Sequence, residues 1–184
     1  VEDYLIDGLS FKLNPGASYI NERKSVTYHP QGSNIYSSSG TKLIKLLISG
    51  DAWLDPSTFR VRFDIVNNDS STGRALRVIG CPWSFFKRLR VMCNGQIVED
   101  IEDYNRVHEM FSILSPKELR ENVNGEGVGF NWDSEGMTID SENFQGIPAG
   151  DYQTVLFSPL AGILKQRKFI PLRYAPLTIE LELV

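Results

Sequence analysis

Lys87-Arg88-Leu89-Arg90-Val91-Met92-Cys93-Asn94-Gly95-Gln96-Ile97-Val98-Glu99-Asp100-Ile101 is the stretch on which the fold turns. Asn94-Gly95 tolerates positive φ at both central positions of a type I′ turn, whose twist matches that of two antiparallel strands. The residues on either side, 87–93 and 96–101, are therefore predicted to form a hairpin. Within its first arm Arg88 and Arg90 share one face and Leu89 and Val91 the other, which is ordinary amphipathic strand patterning. Moving outward, Phe59, Val61, Phe63 and Ile65 alternate with Arg60, Arg62 and Asp64. Leu177, Ile179, Leu181 and Leu183 alternate with Thr178, Glu180 and Glu182. Both read as one-sided strands, and two such faces need each other for cover. Residues 43–49 are apolar on both faces apart from Lys45, the pattern of a strand near the middle of a packed sheet. Weaker strands are predicted at 25–29, 152–157 and 169–172.

One helix interrupts the strands. Asp103 is placed to cap a segment in which Tyr104, Val107, Phe111 and Leu114 recur at spacings of three and four, with Arg106 and Glu109 outside. Ser115-Pro116 ends it, and a short second turn is predicted at 117–120. The Gly- and Asn-rich residues 122–150, with isolated Phe130, Trp132 and Phe144, read as a long surface loop. Residues 1–20 read as an N-terminal arm or strand. The expectation is a single all-β domain over 1–184, an antiparallel two-sheet jelly-roll sandwich with one short inserted helix. An immunoglobulin-like sandwich stays open, less favoured because the Cys-Trp-Cys arrangement is missing.

Composition narrows the function classes. The chain has 184 residues, and a domain of that size buries roughly 70% of its unfolded surface, so its core needs no covalent staples. With 19 Lys+Arg against 23 Asp+Glu the formal net charge is −4, which argues against a generic nucleic-acid coat. No specific nucleic-acid site is expected from Lys87-Arg88-Leu89-Arg90. Cys81 and Cys93 are the only cysteines and read as small core hydrophobes, favouring synthesis in a reducing compartment. Charges and Pro159 interrupt every apolar run, so no membrane span is expected, and the acidic Val1-Glu2-Asp3 does not read as a signal peptide.

The sequence offers no converging set of catalytic or metal-ligating residues. His29 and His108 lie in different elements, and Glu109, adjacent to His108 on a helix, points about 100° away. In the acidic run Glu99, Asp100, Glu102 and Asp103, strand alternation separates the first two, so a solvated edge is favoured over a metal site. The glycines of Asn124-Gly125-Glu126-Gly127-Val128-Gly129 have neither the strand-to-helix context nor the Lys-Ser/Thr of a phosphate loop. A cupin metal site needs a histidine cluster. No catalytic residue, metal or cofactor is assigned, and the chain is not expected to be an enzyme. Trp53, Trp83, Phe85 and Phe86 are the informative side chains, supplying either core or subunit-contact area. The contact hypothesis adds Tyr104 and His108, on a helix expected to pack against a sheet edge or a neighbouring domain.

Several of these segments, taken in order, carry a resemblance. Trp53-Leu54-Asp55-Pro56, Phe59-Arg60-Val61-Arg62-Phe63, Gly80-Cys81-Pro82-Trp83-Ser84-Phe85-Phe86, Asn94-Gly95-Gln96-Ile97-Val98-Glu99-Asp100-Ile101 and Tyr104-Asn105-Arg106-Val107-His108-Glu109-Met110-Phe111 resemble the double jelly-roll major capsid proteins of polinton-like viruses and virophages. Pro171-Leu172-Arg173-Tyr174-Ala175-Pro176-Leu177-Thr178-Ile179-Glu180-Leu181 is similar to the end of the first jelly roll in that family. The resemblance implies a structural protein of an icosahedral virion capsid, made in the host cytoplasm or nucleus. Its partners would be copies of itself in trimeric, pseudo-hexagonal capsomers, a second jelly roll, and neighbouring capsid and penton proteins. This chain has room for one jelly roll, so it resembles the N-terminal half or a processed piece. A carbohydrate-binding sandwich, with Trp132 and Phe144 stacking on sugar rings, is the alternative from another class.

Overall fold

The computed structural model describes residues 22–37, 39–71, 76, 81–116, 125–126 and 147–184. Among them lie β1 (Leu43–Ile48), β2 (Trp53–Leu54), β3 (Val61–Val66), β4 (Phe86–Cys93), β5 (Gln96–Glu102), β6 (Gly125–Glu126), β7 (Tyr152–Phe157), β8 (Ile170–Pro171) and β9 (Leu177–Leu183). The helix α1 (Tyr104–Ile113) follows β5, and a single turn, α2 (Gly162–Lys165), precedes β8. All pairings among the described residues are antiparallel. A four-stranded sheet runs β1-β9-β4-β5, a three-stranded sheet runs β3-β7-β6, and β2 pairs with β8. The fold is all-β, with one helix of substantial length among the described residues.

The predicted hairpin is present, with Asn94 at φ 50° and Gly95 at φ 80°. The turn is also tied to the chain leading into β9: the Asn94 backbone N–H donates to Pro176 O at 3.3 Å and its side-chain Nδ2 to Tyr174 O at 3.0 Å. Gly95 is surrounded by open space, so its role is conformational. Gly95→Ala is expected to cost about 1–2 kcal/mol, because a Cβ is strained at positive φ. The urea midpoint measures this, and an unchanged midpoint would show that the turn does not depend on the left-handed backbone.

The inner face of the four-stranded sheet is built in rows. Ile44, Leu181, Leu89 and Ile101 lie side by side, and so do Leu46, Ile179 and Val91. These residues share one core with Val61 and Phe63 of β3 and Val155 and Phe157 of β7, so the two sheets cover each other. Period-two alternation thus places the side chains as expected on β3, β4 and β9, and Cys81 and Cys93 pack half-buried at the core margin.

Several expectations are corrected. β1 is the first strand of its sheet, not a central one, and its two-sided apolarity leaves Leu43 and Leu47 partly exposed on the outer face. Its free side is partly covered where Gln31 N donates to Lys45 O at 2.8 Å. Residues 25–29 run alongside without forming a strand, ending in an isolated bridge from Pro30 to Leu46. Asp103 precedes α1 but sits in the left-handed region at φ 47°, with no capping bond from its side chain. The N-terminal arm, the turn at 117–120, and Phe130, Trp132 and Phe144 lie outside the described residues. So does most of the 122–150 loop, of which residues 125–126 form the short strand β6.

Candidate association surface

The six aromatic and histidine side chains considered for subunit contact have different fates. Trp83, in a 3-10 turn at Pro82–Phe85, is 1% exposed. Its indole stacks on the His108 imidazole at 4.1 Å between centroids, and its Nε1–H donates to Glu109 Oε2 at 2.8 Å. Phe86 stacks on Phe157 at 5.5 Å, and the Phe63 ring meets Phe85, Phe86 and Phe157 edge-on. Tyr104 is fully buried; its hydroxyl accepts from Leu160 N at 2.8 Å and its ring meets His108 at 5.4 Å. Phe85 is half-buried in the same cluster. This is a core junction that fastens α1 to β4 and β7. Trp83, Phe86, Tyr104 and His108 are buried within the single chain, where the sheets and the helix cover nearly all of their surface. Only Trp53, 57% exposed on β2, keeps substantial surface.

Burial sets the chemistry at this junction. The Tyr104 phenol is pushed above its ordinary range by desolvation, offset in part by the bond from Leu160 N. His108 is pushed down to about 3, chiefly by burial and secondarily by the positive charge of Lys165, so the ring is neutral near pH 7. Its Nδ1 and the Ser112 Oγ one turn later are buried without a hydrogen-bond partner. Tyr104→Phe is expected to destabilise the fold by about 1–2 kcal/mol, because the Leu160 N–H then loses its acceptor. A thermal or urea melt tests this, and an unchanged transition would mean that the amide finds another partner.

The helix presents a different face from the one its periodicity predicts. Tyr104, His108 and Ser112 point into the sandwich. Phe111 at 49% and Leu114 at 76% exposure face outward, with Met110 and Ile113. Beside them a shallow groove of about 560 Å³ is lined by Trp83, Ser84, Asn105, Arg106, Glu109, Met110 and Ile113. The missed signal lies in the composition of α1, which is apolar on more than one side.

The outer face of the four-stranded sheet carries an ordered charge pattern. Strand register aligns Lys45, Glu180, Arg90 and Asp100 in one row across β1, β9, β4 and β5. Adjacent members pair in turn: Lys45 with Glu180 at 3.4 Å, Glu180 with Arg90 at 3.3 Å, and Arg90 with Asp100 at 3.5 Å. Arg88, one row along, makes a forked contact to Asp100 at 2.8 and 2.7 Å and reaches Glu102 at 3.5 Å. That fork raises the Arg88 guanidinium above its usual range, and the hydrogen bond from Arg88 holds the Asp100 carboxyl below the usual carboxylate range. At the hairpin end Leu47, Thr178, Met92 and Ile97 form a third, largely apolar row.

The acidic run of the sequence is therefore divided by its neighbours. Glu99 turns to α2, accepting from Gly162 N at 2.8 Å and Ile163 N at 3.3 Å, while Asp100 and Glu102 turn to the arginines. Among the described residues no three His, Cys, Asp or Glu side chains converge to hold a metal ion. No described helix is long and apolar enough to cross a membrane. Comparison with protein-family models, with curated proteins and with solved structures finds no match to this chain.

Proposed function

We propose that this chain is the jelly-roll domain of a viral capsid protein, acting by self-association into trimeric, pseudo-hexagonal capsomers of an icosahedral shell. The observation that carries this reading is the nesting of the strands. β1 pairs with β9, β2 with β8 and β3 with β7, so the two halves of the chain run back along each other as one long hairpin. Its outer pair lies in the four-stranded sheet and its inner pair in the three-stranded sheet. A long antiparallel hairpin wound across two sheets supports a jelly-roll reading, in which the β4–β5 hairpin is a local addition.

The rest of the molecule suits such work. A shell subunit needs a stiff body and modest contacts repeated by symmetry. Here the aromatic junction locks the helix to both sheets, and the outer sheet face is held by cross-strand ion pairs. A second jelly roll and the neighbouring capsid and penton proteins are the partners this role requires, and the virion is its location.

Sedimentation across a wide concentration range, run beside a glycan array, tests the proposal. The expected result is concentration-dependent association with no glycan bound. A chain that stays monomeric and binds a sugar is a carbohydrate-binding sandwich instead.

A further inference from the structure

We infer that the outer face of the β1-β9-β4-β5 sheet is an isologous contact on which a second copy of this chain docks face to face. The inference rests on the self-associating role proposed above and names a two-fold contact between capsomers, separate from the contact that closes a trimer. Strand register fixes a charge pattern on this face that is complementary to itself. Read from β1 to β5, the central row is positive, negative, positive, negative: Lys45, Glu180, Arg90, Asp100. Reversing that order inverts every sign. A two-fold axis in the plane of contact, parallel to the strands and between β9 and β4, performs this reversal. It lays β1 over the second copy's β5 and β9 over its β4, and keeps each row facing itself.

Lys45 then faces Asp100 of the second copy, and Glu180 faces its Arg90. In the flanking row Glu182 faces Arg88 of the second copy, and only Leu43 over Glu102 is mismatched. In the hairpin-end row Leu47 faces Ile97, and Thr178 faces Met92. Leu47 and Ile97 are partly exposed in the single chain, so each gives up apolar surface in the contact. The in-plane pairs preorganise the charges, since each side chain is already held by a neighbour of opposite sign.

Size sets the strength. Four strands about 4.8 Å apart and six residues at about 3.3 Å give a patch of about 400 Å² per copy. Two copies thus bury about 800 Å², below the range of stable complexes. The contact is weak alone and suited to repetition, and its ionic part weakens as salt is raised.

A mixing experiment separates contacts between copies from pairs within one copy. In Glu180→Arg, residue 180 faces Arg90 of the second copy with like charge, and in Arg90→Glu it is Glu180 that meets a like charge. Each variant alone is expected to lose self-association by tenfold or more in sedimentation equilibrium at high concentration. An equimolar mixture recovers association as heterodimer, because the 180 and 90 positions are again opposite in sign across the contact. Mixing leaves the pairs inside each chain unrepaired, so recovery can come only from the interface. If either charge variant unfolds by circular dichroism, Leu47→Glu mixed with Ile97→Lys gives the same test from exposed positions. Variants that associate like the parent, or a mixture without recovery, overturn the assigned face while self-association through another surface stands. A parent chain that stays monomeric throughout overturns this inference and the shell reading together.

Discussion

Trp83→Ala is expected to destabilise the fold by about 3–5 kcal/mol, the cost of truncating a large buried aromatic. The indole is 1% exposed, stacks on His108 and donates to Glu109, so the substitution opens a cavity and strands a half-buried carboxylate. Trp83→Phe restores most of the volume but not the donor, and is expected to lie between the two. Guanidinium denaturation, followed by a signal from the sheets, gives both values. An alanine variant with an unchanged midpoint and weakened association would move Trp83 from the core to the subunit contact, where the sequence alone also allowed it to be.

The second large effect is acid sensitivity. The native ring of His108 is pushed down to about 3, whereas an unfolded histidine titrates near 6.5, so the unfolded chain binds the proton first. Stability from this group is therefore complete above about pH 6.5 and is lost as pH falls toward 3. The expected loss is about 2 kcal/mol by pH 5, before most carboxylates titrate. Denaturant melts at pH 7, 6 and 5 read the slope. His108→Gln is expected to be less stable at pH 7, because it loses the stacking on Trp83, but flat over this range. An equally steep slope in the variant would place the acid-sensitive group elsewhere.

These expectations mark where sequence pattern ends and tertiary packing begins. The hairpin at Asn94-Gly95 was legible because its turn has a backbone requirement that few residue pairs meet. β3 and β9 were legible because alternation on a strand reports directly which side faces the core. The helix was legible in position but not in orientation. Of the stripe Tyr104, Val107, Phe111 and Leu114, Tyr104 is buried and Val107 half-buried, but the stacking of Trp83 on His108 and the bond from Leu160 N to Tyr104 roll the helix toward His108 and Ser112 and leave Phe111 and Leu114 outside. β1 misled because apolar residues on both faces fit a central strand, while its place beside β9 alone is set by long-range pairing.

The association surface follows the same division. Arg88 and Arg90 on one strand and Glu180 and Glu182 on another read as solvated faces, and nothing local tells that the two strands are neighbours. Sheet order brings them together across 90 residues and converts separate charges into a ladder. The aromatics were recognised as important, but a large ring serves a core and an interface equally well. Only the packing of both sheets and α1 around Trp83, Phe86 and Tyr104 decides between the two.

The shell reading is tested most directly by imaging the concentrated product of the reading frame that encodes these 184 residues in the electron microscope. Closed particles or flat lattices with pseudo-hexagonal repeats are the predicted result. Dispersed single molecules at the same concentration would contradict it.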